Sequence, residues 1–160
     1  MQHSIAPTPS TVSLSRHALQ TIRETSQAAQ DDRETGGIIL GHQYADGRLT
    51  VTIAGDPGPA AVRTRDSFRR DPSHAQALAD AAWSNDRSVW LGEWHTHPRG
   101  PVHPSPIDLA TYLSLLRDPA LTFRAFLALI VIPVAPEPTI FPWVITEGEG
   151  VCVTMAIDGL

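Results

Sequence analysis

Four prolines in nine positions, Pro98, Pro101, Pro104 and Pro106, constrain this chain's fold more than any other feature of it. A proline cannot donate to a β-ladder, so the strand pattern "VWLGEWHTH" from Val89 to His97 must end at Pro98. On the far side, "SPID" has the makings of a helix start: Ser105 as cap, Pro106 at the first helical position and Asp108 near the positive end of the helix dipole. Only "RGPVHP" separates the two. His95 and His97 lie two apart on the strand, so their imidazoles project from one face, while Trp94 and Thr96 point the other way. From the first helical turn, the Asp108 carboxylate can swing back to the strand end. Two neutral imidazoles and one carboxylate are the three protein ligands of a catalytic zinc site, whose fourth position is kept for water. A plainer reading stands beside this one. His-x-His alone is common, and a helix cap explains Ser105 and Asp108 with no metal at all.

The remaining pattern predicts an α/β fold. The spacing of Ala18, Leu19, Ile22, Ala28 and Ala29 predicts a helix from Ser15 to about Gln30, after a loose or strand-like lead-in over residues 1–10. "TGGIILGHQY" and "RLTVTIAG", joined by "ADG", predict a hairpin. "PGPAAVRTRDSFRRDP" reads as a polar connection. "SHAQALADAAWSND" predicts a helix capped by Ser73 and ending near Asn85. The helix after "SPID" places Leu109, Tyr112, Leu113 and Leu116 on one side. "FRAFLALIVI", "TIFPWVIT" and "GVCVTMAI" predict three further strands. The sum is one domain over residues 1–160, with a mixed, largely antiparallel sheet flanked by helices.

Composition narrows the function. Twelve basic against 17 acidic residues give a net charge of −5, which argues against a dedicated nucleic-acid or anionic-membrane binder. One cysteine, Cys152, permits neither an intrachain disulfide nor a multi-thiolate metal site, and a reducing cytoplasmic compartment fits. The N-terminus lacks the basic and apolar regions of a signal peptide. The strongly apolar run "AFLALIVIPV" is too short for a membrane helix and reads as a buried strand. A barrel hydrolase using His-x-His is excluded, because that fold needs about 250 residues.

The string His95-Thr96-His97-Pro98, then six residues, then Ser105-Pro106-Ile107-Asp108, resembles the motif of JAMM domains, also called JAB or MPN domains. These are zinc metalloproteases that remove ubiquitin or ubiquitin-like proteins. "ETGG" followed by "IILG" resembles the strand that carries the family's upstream glutamate. The resemblance implies a JAMM/cytidine-deaminase-like architecture in which His95, His97 and Asp108 hold Zn2+. It implies Glu34 as general base, taking a proton from the attacking water and passing it to the leaving amine, and Ser105 as a hydrogen-bond donor to the oxyanion. It also implies an isopeptidase acting after the C-terminus of a ubiquitin-like modifier. "FRRDPSHAQALADAAW" and "VWLGEWHTHPRGPVHPSPIDL" look like bacterial members from ubiquitin-like conjugation and anti-phage defence operons. The implied partners are the modifier or its conjugate and the conjugation enzymes of the same operon, with no nucleic acid and no membrane. Other members act on sulfur-carrier, phage-tail or cell-wall substrates, and non-catalytic MPN scaffolds lack the ligands.

Glu93 rivals Glu34, because alternation puts it on the face of His95, where it can orient a histidine N–H. Glu34 is preferred as base, since Gly36-Gly37 would let the backbone approach a substrate strand; the acidic cluster Asp31, Asp32 and Glu34 is otherwise an ordinary solvated one. His103 lies between the ligands but reads as incidental, and His42 and His74 as ordinary surface or core residues. Trp90 and Trp94 read as core, and Cys152 as a buried structural thiol. The four arginines of "RTRDSFRRD" read as a solvated loop, with Arg69 and Arg70 free to meet an acidic patch on a partner.

Overall fold

The computed structural model describes residues 7–29 and 31–158. In chain order its elements are β1 (Thr11–Leu14), α1 (Arg16–Ala28), β2 (Gly36–Gln43), β3 (Arg48–Ala54), β4 (Val62–Arg63), β5 (Phe68–Arg69), α2 (Pro72–Asp86), β6 (Val89–Thr96), α3 (Pro106–Arg117), β7 (Phe126–Ile132), β8 (Thr139–Ile145), β9 (Gly150–Cys152) and β10 (Thr154–Ile157). Eight strands form one sheet in the order β10-β1-β3-β2-β6-β7-β8-β9, and β4 pairs with β5 in a separate hairpin. The pairs β2–β3, β2–β6, β7–β8 and β8–β9 are antiparallel; β1–β10, β1–β3 and β6–β7 are parallel. The expected mixed sheet with flanking helices is therefore present.

Both sheet faces are covered, which explains the unbroken apolar runs. Alternate residues of β7 serve opposite layers. Leu127, Leu129 and Val131 pack with Ala18 and Ile22 of α1, while Phe126 and Ala128 pack with Tyr112 of α3. Ile38 and Leu40 of β2 meet Ala75 and Ala82 of α2. Each such Leu, Ile or Phe, taken out of water, contributes about 1.5–3 kcal/mol. Among the described residues, no helix is long and apolar enough to cross a membrane.

β6 carries a bulge. Ile39 pairs with Gly92 but Leu40 pairs with Trp90, so Leu91 is the extra residue. It shifts the alternation: Leu91 joins the α1-side core with Trp94, and Trp90 packs on the opposite side, against Phe123 and Phe126.

Several expectations need correction. The α2 cap is Asp71, not Ser73, because Pro72 occupies the first turn and the cap must precede it; the Asp71 carboxylate accepts from the Ser73 and His74 amides. Four-residue β1 carries too little pattern to be seen in sequence, and it is a strand through pairing with β3 and β10. "GVCVTMAI" is two strands: β9 lies on β8 and β10 on β1, so one continuous segment touches both ends of the sheet order. Cys152 is exposed rather than buried, because β9 is an edge strand with all three residues in solvent. The arginine-rich connection contains the β4–β5 hairpin. Of the expected lead-in, residues 1–6 lie outside the described residues and 7–10 form neither strand nor helix.

Candidate metal centre

β6 runs through the middle of the sheet and delivers His95 and His97 to one end of it, 1% and 3% exposed. The His97 amide still bonds the Val131 carbonyl (2.8 Å), so the strand geometry persists one residue past its last ladder position. Beside it, the segment entering β2 is locked to β6. The Thr35 amide donates to Thr96 Oγ1 (3.0 Å), and the Thr96 amide donates to the Thr35 carbonyl (2.8 Å). Glu34 precedes this lock. Its amide donates to the Thr64 carbonyl (2.7 Å), and Arg63 Nε donates to its carbonyl (2.9 Å). The same guanidinium reaches the Arg33 carbonyl (3.2 Å) and Asp31 Oδ1 (2.9 Å), so Arg63 pins the whole approach to Glu34.

α3 brings the third element. Ser105 Oγ accepts from the Asp108 amide (3.1 Å) and Asp108 Oδ2 accepts from the Ser105 amide (2.7 Å), a complete capping box. The cap therefore aims the carboxylate: the same Oδ2 lies 3.3 Å from His95 Nε2 and 3.3 Å from His97 Nε2. The two Nε2 atoms are 2.9 Å apart, and Glu34 Oε1 is 3.8 Å from His97 Nε2. Glu34, His95 and His97 also form a buried group whose ligand atoms lie within 4.8 Å of one another.

The far nitrogens settle the tautomers. His97 Nδ1 faces the Pro101 carbonyl (2.7 Å) and His95 Nδ1 faces Glu93 Oε1 (3.3 Å). Both partners only accept, so in the neutral ring Nδ1 carries the proton and the Nε2 lone pairs converge. Three carboxylates, Glu34, Glu93 and Asp108, thus surround two imidazoles in a largely dry place. Such a cluster calls for positive charge. Burial works against charging His95, but the Asp108 and Glu93 carboxylates outweigh it and push its pKa up to about 10. Burial would raise Asp108, yet His95 and His97 hold it well below the usual carboxylate range. Glu34 is pushed up to about 7, chiefly by burial, with Asp108 adding to the rise and the two imidazoles opposing it. Its Oε2 is buried without a hydrogen-bond partner.

The donor set suits zinc. Tetrahedral ligands at about 2.0–2.1 Å from zinc lie about 3.3 Å from one another; the His95–His97–Asp108 triangle has edges of 2.9, 3.3 and 3.3 Å. An open cleft of about 520 Å³ leads to it, lined by Glu34, His97, Ser105, Ile107, Arg65 and Arg99 among others.

Of the residues singled out in the sequence, Glu34, Glu93, His95, His97, Ser105 and Asp108 come together here. His103 does not; its Nδ1 turns to the Pro104 carbonyl. His42 and His74 pair instead with Asp86 and Asp56. Asp31 and Asp32 are held by arginines, whereas Glu34 is buried at 6% exposure. Gly36-Gly37 does not open the backbone to a substrate strand. A Cβ at Gly36 would lie 2.1 Å from the Trp94 carbonyl oxygen, and one at Gly37 2.1 Å from that of Gly55, so both serve close approach within the protein. Arg70 packs over Trp90 and lies beside Glu93, whereas Arg69 is exposed. Residues missed in the sequence are Tyr112, taken as core but bonded to Glu93, and Arg63 and Arg70. Tyr112 stands four residues after Asp108, one helical turn on, which was the available signal.

Comparison with known proteins follows the same line. The chain is 37% identical over 96 residues to a CD-NTase/cGAS isopeptidase of Pseudomonas aeruginosa, covering 59% of this chain and 60% of that one. It is 33% identical over 91 residues to the probable metalloprotease y4qB of Sinorhizobium fredii, covering 55% and 56%. The chain thus spans little more than half the length of these curated relatives. The solution structure of protein DSY2949 from Desulfitobacterium hafniense, 20% identical, covers 92% of each chain with a TM-score of 0.69 and shares the fold. The family model of prokaryotic homologs of the JAB domain matches residues 15–146, and the chain belongs to that family.

Proposed function

We propose that this chain is a zinc-dependent isopeptidase. It hydrolyses the amide that joins the C-terminus of a ubiquitin-like modifier, or of a protein conjugated in the same manner, to a target. The observation that carries the reading is the convergence of His95 Nε2, His97 Nε2 and Asp108 Oδ2 at tetrahedral spacing beside a buried carboxylate. The relatives named CD-NTase/cGAS isopeptidase support an isopeptide substrate in a CD-NTase defence system, with the enzymes that make the conjugate as further partners.

His95, His97 and Asp108 would hold the ion. When bound, zinc supplies Lewis acidity toward a carbonyl and acidifies water. The protein does the rest. Glu34, fixed by Thr64 and Arg63, takes a proton from water as its oxygen attacks the carbonyl carbon, then gives that proton to the leaving lysine amine as the C–N bond breaks. Ser105 Oγ accepts from the Asp108 amide and keeps its own O–H to donate to the oxyanion. The open cleft admits an extended tail to these groups.

The test uses the zinc-loaded chain with a glycine-ended peptide joined to a lysine ε-amine, and with a CD-NTase joined to a target in the same way. Mass spectrometry should show release of the free carboxylate and lysine amine. Glu34→Gln should slow release by about 10²–10⁴-fold while retaining zinc. Equal cleavage by Glu34→Gln, or no cleavage of either conjugate by the loaded wild type, overturns the reading.

A further inference from the structure

We propose that Arg70, Glu93 and Tyr112 form a positioning chain that holds the His95 ring with Nε2 facing the metal centre. The inference rests on the metal reading above and adds residues that the family motif does not contain. The two nitrogens of the buried His95 ring face different partners. Nε2 of His95 faces Asp108 and His97, at 3.3 and 2.9 Å. Nδ1 faces Glu93 Oε1 at 3.3 Å, with the Tyr112 hydroxyl 3.5 Å away. A carboxylate only accepts, so Glu93 keeps the proton on Nδ1 and fixes the ring plane.

Glu93 has a partner at each oxygen, a hydrogen bond at one and an ion-pair contact at the other. The Tyr112 hydroxyl donates to Oε1 (3.0 Å), and Arg70 Nη1 lies 3.8 Å from Oε2. Tyr112 cannot turn away: it is fully buried and stacked on Phe126, with ring centroids 4.5 Å apart. It stands one helical turn beyond Asp108, so one face of α3 controls His95 from both sides, the carboxylate at Nε2 and the phenol, through Glu93, at Nδ1.

Arg70 closes the chain at its other end. Its guanidinium lies over the Trp90 ring, 4.9 Å from the centroid. The bulge at Leu91 is what brings Trp90 to Glu93's face of the sheet. Arg70 Nε is buried without a hydrogen-bond partner, an arrangement that costs stability by itself. The Glu93 carboxylate, only 13% exposed, is the group whose charge it offsets.

The test is zinc affinity, measured by competition with a chromogenic chelator, together with the visible absorption spectrum of the cobalt(II)-loaded protein. Glu93→Gln should bind zinc about 10–100-fold more weakly and alter the cobalt spectrum, while the metal-free chain still melts cooperatively. Tyr112→Phe, which keeps the stacked ring, and Arg70→Met should each weaken zinc binding by a smaller factor. Because Arg70 acts through Glu93, Arg70→Met should add no loss on top of Glu93→Gln. Arg70→Lys, which keeps the charge should Arg70→Met fail to fold, should bind nearer to wild type. Zinc affinities within twofold of wild type for Glu93→Gln and Tyr112→Phe overturn the inference alone, as does an equal effect of Arg70→Met in both backgrounds. A wild type that binds zinc no better than His97→Ala overturns the metal reading as well.

Discussion

Replacing Ser105 with alanine separates two jobs that one side chain performs. As a cap, Ser105 Oγ accepts from the Asp108 amide at 3.1 Å. Losing that bond costs about 1 kcal/mol, which in a chain of 160 residues lowers Tm by about 2–4 °C. The reciprocal bond survives, because the donor to Asp108 Oδ2 is the Ser105 backbone amide at 2.7 Å. The carboxylate therefore stays aimed at the two imidazoles, and zinc content should remain that of wild type. As a donor to the oxyanion, the hydroxyl should matter far more, with a loss of about 10²–10³ in kcat. That corresponds to about 3–4 kcal/mol of barrier. Ser105→Thr keeps both the cap and the hydroxyl and should stay close to wild type in melting and zinc content, with activity well above the alanine variant. The assays are a thermal melt of the metal-free protein, zinc per chain, and isopeptide cleavage. If Ser105→Ala loses zinc in proportion to activity, its role runs through Asp108 alone. If it keeps full activity, the hydroxyl takes no part in the chemistry.

Gly36→Ala should disrupt the centre without touching a functional group. The added Cβ would meet the Trp94 carbonyl oxygen at 2.1 Å and His95 Cα at 2.8 Å, both backbone atoms that cannot rotate away. Overpacking of about 1–3 kcal/mol should appear in urea unfolding, and zinc affinity should fall because β2 and β6 are forced apart; unchanged stability would show that the strands can separate freely. Asp71 is depressed by the Ala60, His74 and Ser73 amides, so its contribution to stability is present above its ordinary value of 3.8 and is lost as pH falls through the lower folded value. Asp71→Asn, which still caps, should flatten the acid side of the melting profile as pH falls below its ordinary value of 3.8; parallel profiles for the two proteins would remove Asp71 from acid unfolding.

The convergence of His95, His97 and Asp108 was legible because its cause is local. Pro98 ends a strand, Ser105 and Pro106 start a helix, and six residues hold the two ends together. The capping box that explains Ser105 and Asp108 without a metal is also what points Asp108 Oδ2 at the histidines, so the cap and the proposed metal site do not compete. The apolar runs of β2 and β7 were legible for the same reason, since burial on both faces leaves no alternation to misread. What stayed hidden depends on partners distant in sequence. β1 and β10 are strands only because they find each other and β3. Val153 gave no sign that the two halves of "GVCVTMAI" pair with strands at opposite ends of the sheet order. Arg70 looked like a member of a solvated run because its partners, Trp90 and Glu93, lie about twenty residues on, and a one-residue bulge decides which face Trp90 takes. The role of Gly36 also escaped, because a glycine demanded by a carbonyl across the sheet reads like one that invites a ligand.

The central claim is that His95, His97 and Asp108 hold a zinc ion. The most direct measurement is metal content per chain by plasma mass spectrometry, for wild type and His97→Ala, both purified without added metal. About one zinc per wild-type chain and almost none in His97→Ala is the expected result. A wild type that carries no metal and takes up no zinc on titration would contradict it, and "HTHP" and "SPID" would then be a strand end and a helix cap and nothing more.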